Sequence, residues 1–152
     1  MQLIGTRFVR PGEYGDFAWM IEQPEYSDSL FIFNDNERQF LMHRSEPHSG
    51  SGCYEGGGNA VIRPYQCEDP PHAAGIPTGA SGRGYSGLDD HVRSIIDRAI
   101  SDIGELLATG RYKRVFYSSD GRGGLGTGIF DVGEDVKAYV IERLETFADQ
   151  AR

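Results

Sequence analysis

Four consecutive apolar residues, Leu30-Phe31-Ile32-Phe33, run directly into Asn34, Asp35 and Asn36. Side chains of a strand point alternately to opposite faces, so an unbroken apolar run places hydrophobic groups on both sides of a sheet. Both sides must then be covered, as in layered α/β proteins.

The coverings are legible downstream. In "LDDHVRSIIDRAISDIGELLATG" the residues Val92, Ile95, Ile96, Ala99, Ile100, Ile103, Leu106 and Leu107 recur at helical spacing. Asp89 and Asp90 suit the positive end of that helix, and Gly110 its stop. "KRVFYSSD" then reads as a strand, a glycine-rich run follows from Gly121 to Gly128, and "EDVKAYVIERLETFADQA" closes as a helix. That helix carries Val136, Tyr139, Val140, Leu144 and Phe147 on one side. The alternation predicts one α/β domain over residues 1–152 with a mixed, largely parallel sheet.

The remaining segments are weaker signals. "MQLIGTRFV" reads as an opening strand stopped at Arg10-Pro11-Gly12, "DFAWMIEQ" fits a strand or a short helix, and "ERQFLMHR" fits a helical turn. "SEPHSGSGCYEGGG" and "CEDPPHAAGIPTGASGRGYSG" read as irregular loops, joined by the short apolar "NAVIRPYQ". Loops of that length in a small domain are more often functional than idle.

A formal charge of −8 and a sequence pI near 4.9 argue against nucleic acid and anionic membranes, which need basic patches. They leave open a small phosphorylated ligand, because backbone N–H groups bind phosphate without net positive charge. The first residues carry no apolar leader core and no stretch has the length of a membrane span, so a cytoplasmic protein is expected. Cys53 and Cys67 are too few for a disulfide scaffold, and ordinary buried thiols in a reducing compartment are the expectation.

Gly121, Gly123 and Gly126 match the G-x-G-x-x-G spacing of dinucleotide-binding folds. That fold needs further strands after the turn, and the remainder of the chain reads as a single helix. A Walker loop is excluded because no Lys-Ser/Thr follows the glycines. A strand, a glycine turn and a helix in that order still make an anion site, with a plain flexible turn as the alternative.

Three other segments extend the pattern: "FIFNDN", "GGGNAVIR" and "GIPTGASGRGY". Together with Gly126-Thr127-Gly128-Ile129-Phe130, and in this order, they resemble the macro domain family over roughly residues 28 to 148. Asn34 and Asn36 resemble the family's strand-end asparagines, Gly56-Gly57-Gly58-Asn59 its triple-glycine loop, and Pro77-Thr78-Gly79-Ala80 with Gly84-Tyr85 its third element. Gly126 to Phe130 resembles its phosphate loop. Asn59 stands where the family carries an aspartate, and Asp131 where it carries a glycine.

The resemblance implies a three-layer α/β/α macro domain-like sandwich that binds a small molecule of ADP-ribose type, with no cofactor and no specified protein partner. By the same resemblance Gly126, Thr127, Gly128, Ile129 and Phe130 would hold phosphate. Gly56, Gly57, Gly58 and Asn59 would line the distal ribose and Asn36 would hydrogen-bond its hydroxyls, with Asn34 a further ligand-binding residue, and Ser118, Ser119 and Thr127 would add hydroxyls. Hydrolytic members position a water, which implies Asn36, Asn59 and Asp35 as candidate catalytic residues. An amide cannot accept the proton, so binding without turnover weighs equally with ADP-ribosyl hydrolysis. Asp35 as a strand-end turn residue, and Arg63 and Arg122 as solvated arginines, are the plainer expectations.

Two other classes stay open. His43, His48, Cys53, Cys67 and His72 are zinc-type ligands, but no pair has tight metal-site spacing, so no metal is expected. Trp19, Tyr54 and Tyr65 would line a partner surface if the chain is a protein-interaction module with a vestigial site.

Overall fold

The computed structural model describes residues 1–150. Its strands are β1 (Gln2–Thr6), β2 (Ser29–Asn36), β3 (Ala73–Ala80), β4 (Arg83–Gly84) and β5 (Arg114–Ser118). Its α-helices are α1 (Phe17–Met20), α2 (Glu37–Ser45), α3 (Asp90–Ala108) and α4 (Glu134–Gln150). The sheet order is β1-β5-β2-β3-β4, with β1, β5, β2 and β3 mutually parallel and the short β4 antiparallel to β3. The expected α/β class with a largely parallel sheet is therefore present. Ala151, the last residue of the expected closing helix, lies outside the described residues.

The apolar run of β2 behaves as its pattern demands. Leu30 and Ile32 join one core with α3, α4 and Phe40 of α2, while Phe31 and Phe33 join a second core on the opposite face. The second core is aromatic: Phe31 stacks on Phe116 with centroids 5.1 Å apart, and Phe17 and Tyr26 meet them edge-on. Short elements cover this face, namely α1, the 3-10 turn Pro24–Tyr26 and the 3-10 helix Gly58–Cys67. Asp16 caps α1 by accepting from Ala18 N, which resolves the ambiguous "DFAWMIEQ" as a helix. Asp89 caps α3 by accepting from Val92 N at 2.8 Å, and Gly110 follows the helix at φ +76°.

Several expectations are corrected. The segment expected to be irregular contains β3, whose residues AAGIPTGA are small and carry little strand propensity. It is a strand because β2 and β4 hold it from both sides, not because of its own preferences. Gly79 shows how closely: a Cβ there would stand 2.2 Å from Arg83 O of β4. "NAVIRPYQ" lies within the ten-residue 3-10 helix Gly58–Cys67, with Pro64 inside it. "ERQFLMHR" is part of a nine-residue α-helix rather than a single turn. Cys53 and Cys67 are not separate thiols; their Cα atoms are 5.9 Å apart and their sulfurs form a disulfide.

Candidate functional site: a crevice at the carboxyl edge of the sheet

The parallel strands β2, β3 and β5 deliver their following loops to one edge of the sheet, where open α/β sheets hold ligands. A crevice of about 370 Å³ lies there, within the range of small-molecule sites. Asn34, Asp35 and Asn36 of β2 form one wall, the β3–β4 hairpin another, and Thr127 and Phe130 close it from the loop after β5.

Asn34 ties the two glycine loops together. Its backbone N–H donates to Asn59 Oδ1 at 3.0 Å, and its Nδ2 donates to Gly126 O at 2.7 Å. Asn36 acts locally, since its Oδ1 accepts from Gln39 N at 2.9 Å and caps α2. Asp35 sits on the opposite face of β2 and is an ion-pair partner, correcting the strand-end turn expectation. Its Oδ1 accepts from Arg63 Nη2 at 2.8 Å, Arg63 Nε at 3.2 Å and its neighbour Asn36 N at 2.8 Å.

Arg63 is likewise not a solvated arginine. Its side chain is 6% exposed and that of Asp35 0%, and its Nη1 also donates to Tyr54 O. Burial pushes the Asp35 carboxyl above its ordinary range, against the opposing pull of the Arg63 guanidinium. Asp35 Oδ2 is buried without a hydrogen-bond partner, as is Gln39 Oε1.

The loop after β5 divides into two halves with different chemistry. Ser119 bridges Leu125, closing the glycines Gly121 to Gly124 into a small hairpin. Inside it Asp120 Oδ1 accepts from Arg122 N at 2.7 Å and Gly124 N at 3.0 Å, which draws the Asp120 carboxyl below its usual range. Those two amides are already taken. In the second half Gly126 N donates to Ser118 O and Phe130 N to Thr127 O, while Thr127, Gly128 and Ile129 N–H have no acceptor among the described residues.

The candidates therefore separate. Asn34, Asp35, Asn36, Thr127 and Phe130 line the crevice, with Asn59 and Gly126 bonded to Asn34 behind them. Gly56 packs against the Arg63 guanidinium, whereas Gly57, Gly58 and Gly128 face open space. Ile129 is 97% exposed and outside the crevice lining. Ser118 and Ser119 support Gly126, and Ser119 Oγ accepts from Gly121 N. Of the aromatic residues suggested for a partner surface, only Tyr54 is exposed; Trp19 and Tyr65 pack on the aromatic core.

Arg38, Gln39, Ser81, Gly82 and Arg83 also line the crevice and were missed in the sequence. Arg38 follows the strand-end asparagines by two residues, and Ser81-Gly82 is a turn signal, so both positions carried a local cue. Neither Arg38 nor Arg83 has a salt-bridge partner among the described residues. No helix among them is long and apolar enough to cross a membrane. No family model, curated protein or solved structure matches the chain.

Proposed function

We propose that the crevice binds a phosphorylated small molecule of ADP-ribose type, in a macro domain-like α/β/α sandwich. One observation carries this reading: Arg38 and Arg83, free of ion-pair partners among the described residues, line one crevice of a chain whose net charge is −8. Unpaired guanidinium groups in an acidic protein attract a compact anion, and Arg presents paired donors to phosphate oxygens. Thr127, which lines the same crevice, adds an unused backbone N–H donor.

Binding is favoured over hydrolysis. Asn36 and Asn59 carry amides, which accept no proton, and both amides are engaged in holding backbone. Asp35 is buried with its only paired oxygen on Arg63 and Asn36. The site is thus read as a receptor for its ligand, not an enzyme acting on it.

Isothermal titration with ADP-ribose tests this. The expected result is saturable heat that an Arg38→Ala/Arg83→Ala double variant weakens at least tenfold, since each charge-assisted hydrogen bond contributes about 1.5–3 kcal/mol. No heat up to millimolar ligand refutes it. Release of ADP-ribose from a modified protein would overturn the preference for binding alone.

A further inference from the structure

A second group of side chains stands apart from the crevice lining. The 3-10 turn Ser51–Cys53 packs on α2 so closely that a Cβ on Gly52 would lie 2.8 Å from His43 Cα. The 3-10 helix ending at Cys67 brings the second sulfur to the same place, 3.9 Å from His43 Nδ1. His48 borders the cluster, with its Nδ1 3.1 Å from Cys67 O. The two sulfurs are bonded to each other, and no three His, Cys, Asp or Glu residues are placed to hold a metal among the described residues.

We propose that the reduced form of this cluster binds a zinc-class divalent ion through Cys53 Sγ, Cys67 Sγ and His43 Nδ1. The spacing fits. Bonds of about 2.3 Å to sulfur and 2.0–2.1 Å to nitrogen set tetrahedral ligand atoms roughly 3.5–3.8 Å apart. The His43–Cys67 separation is within a few tenths of an ångström of that. Cys53 and Cys67, held with their Cα atoms 5.9 Å apart, can open around an ion by side-chain rotation.

The chemistry balances. A dithiol reductant supplies two electrons and two protons, the Sγ–Sγ bond breaks, and the reductant leaves as its own disulfide. The ion then replaces both thiol protons, which pass to solvent, and two thiolates neutralise its charge. His43 Nδ1, the nitrogen facing Cys67 Sγ, carries the lone pair in one neutral tautomer of the imidazole. The His48 nitrogen facing Cys67 O must carry a proton, because a carbonyl only accepts; that bond braces the Cys67 backbone. Water completes the coordination. Both cysteines are half-buried, open to reductant and ion alike. His72 is excluded, since it pairs with Glu68 at 2.9 Å.

The proposal does not depend on the crevice. Metal-free protein, reduced with a dithiol or left oxidised, is titrated with Zn²⁺ against a chromogenic chelator and separately with Co²⁺. Expected are one equivalent per reduced chain, none on the oxidised chain, and a thiolate-to-cobalt charge-transfer band. His43→Gln should weaken Zn²⁺ by more than the about 10–100-fold typical of losing an outer partner. Equal uptake by both redox forms, a cobalt spectrum without thiolate character, or unchanged affinity in His43→Gln overturns it. Comparing the two redox forms of the unmodified chain keeps the test valid if a variant misfolds.

Discussion

Replacing Arg63 by Met removes the guanidinium from Asp35 and from beneath Gly56 while keeping most of the aliphatic stem. The carboxyl left behind has a side chain with 0% exposure and an Oδ2 that already lacks a partner. Breaking a buried pair from one side costs about 3–5 kcal/mol, because the remaining charge cannot be resolvated. For a chain of this length that lowers Tm on the order of 10 °C.

The pH dependence gives the stricter test. Burial raises the Asp35 carboxyl above the ordinary 3.8 and Arg63 opposes this, so folding takes up a proton. A raised acid contributes stability below the unfolded value and loses it as pH climbs through the folded value. Without Arg63 the folded value rises further. One proton gives a slope of about 1.4 kcal/mol per pH unit wherever Asp35 is ionised in the folded parent and protonated in the folded variant, so the deficit builds as pH climbs from the parent's folded value towards the variant's. Urea denaturation of Arg63→Met and the parent should therefore show a small difference in acid that widens as pH climbs through the parent's folded Asp35 value. Asp35→Asn/Arg63→Met should recover part of it, since no charge is then buried. A deficit under about 1 kcal/mol at pH 7, or one independent of pH, would refute the reasoning.

Three other outcomes are expected. Gly126→Ala should cost about 1–3 kcal/mol in chemical denaturation and weaken ADP-ribose binding, because its Cβ would meet Ser119 O at 2.8 Å. Ser81 and Gly82 both have positive φ, 54° and 79°, so Ser81→Asn should stabilise the hairpin by roughly 0.5–1 kcal/mol, read as a rise in denaturation midpoint. Asp120 is held below 3.8 by the Arg122 and Gly124 amides, so its contribution is present above that value and lost as pH falls through the lower folded value. NMR shifts of those two amides should titrate below 3.8.

α3 and α4 were legible because each covers the sheet with a continuous apolar side, and β2 because its run admits no one-sided packing. β3 was hidden. Its small residues satisfy the sheet only when β2 and β4 are already in place, which no local pattern encodes. The Asp35–Arg63 pair spans 28 residues and the disulfide 14, and nothing at either position announces the partner. At the crevice, the strand-end asparagines and Thr127-Phe130 could be found because they follow secondary-structure ends. Gly57, Gly58 and Ile129 belong to the same motifs yet face solvent, since loop curvature decides which residues of a glycine run turn inward.

Asn34 makes the two glycine loops one mechanical unit. Asn59 of the first loop and Gly126 of the second are bonded to opposite ends of a single residue, through its backbone and its side chain. Opening either loop strains the anchor of the other, so the hydrogen-bonded amides of Gly56 and Gly126 should exchange with solvent as one cooperative group rather than two. Hydrogen exchange that separates the Gly56 amide from the Gly126 amide in wild type would contradict this; in Asn34→Ala the separation is required. A ligand that touches only one loop would then order both, and the second loop would report on an occupant it never contacts.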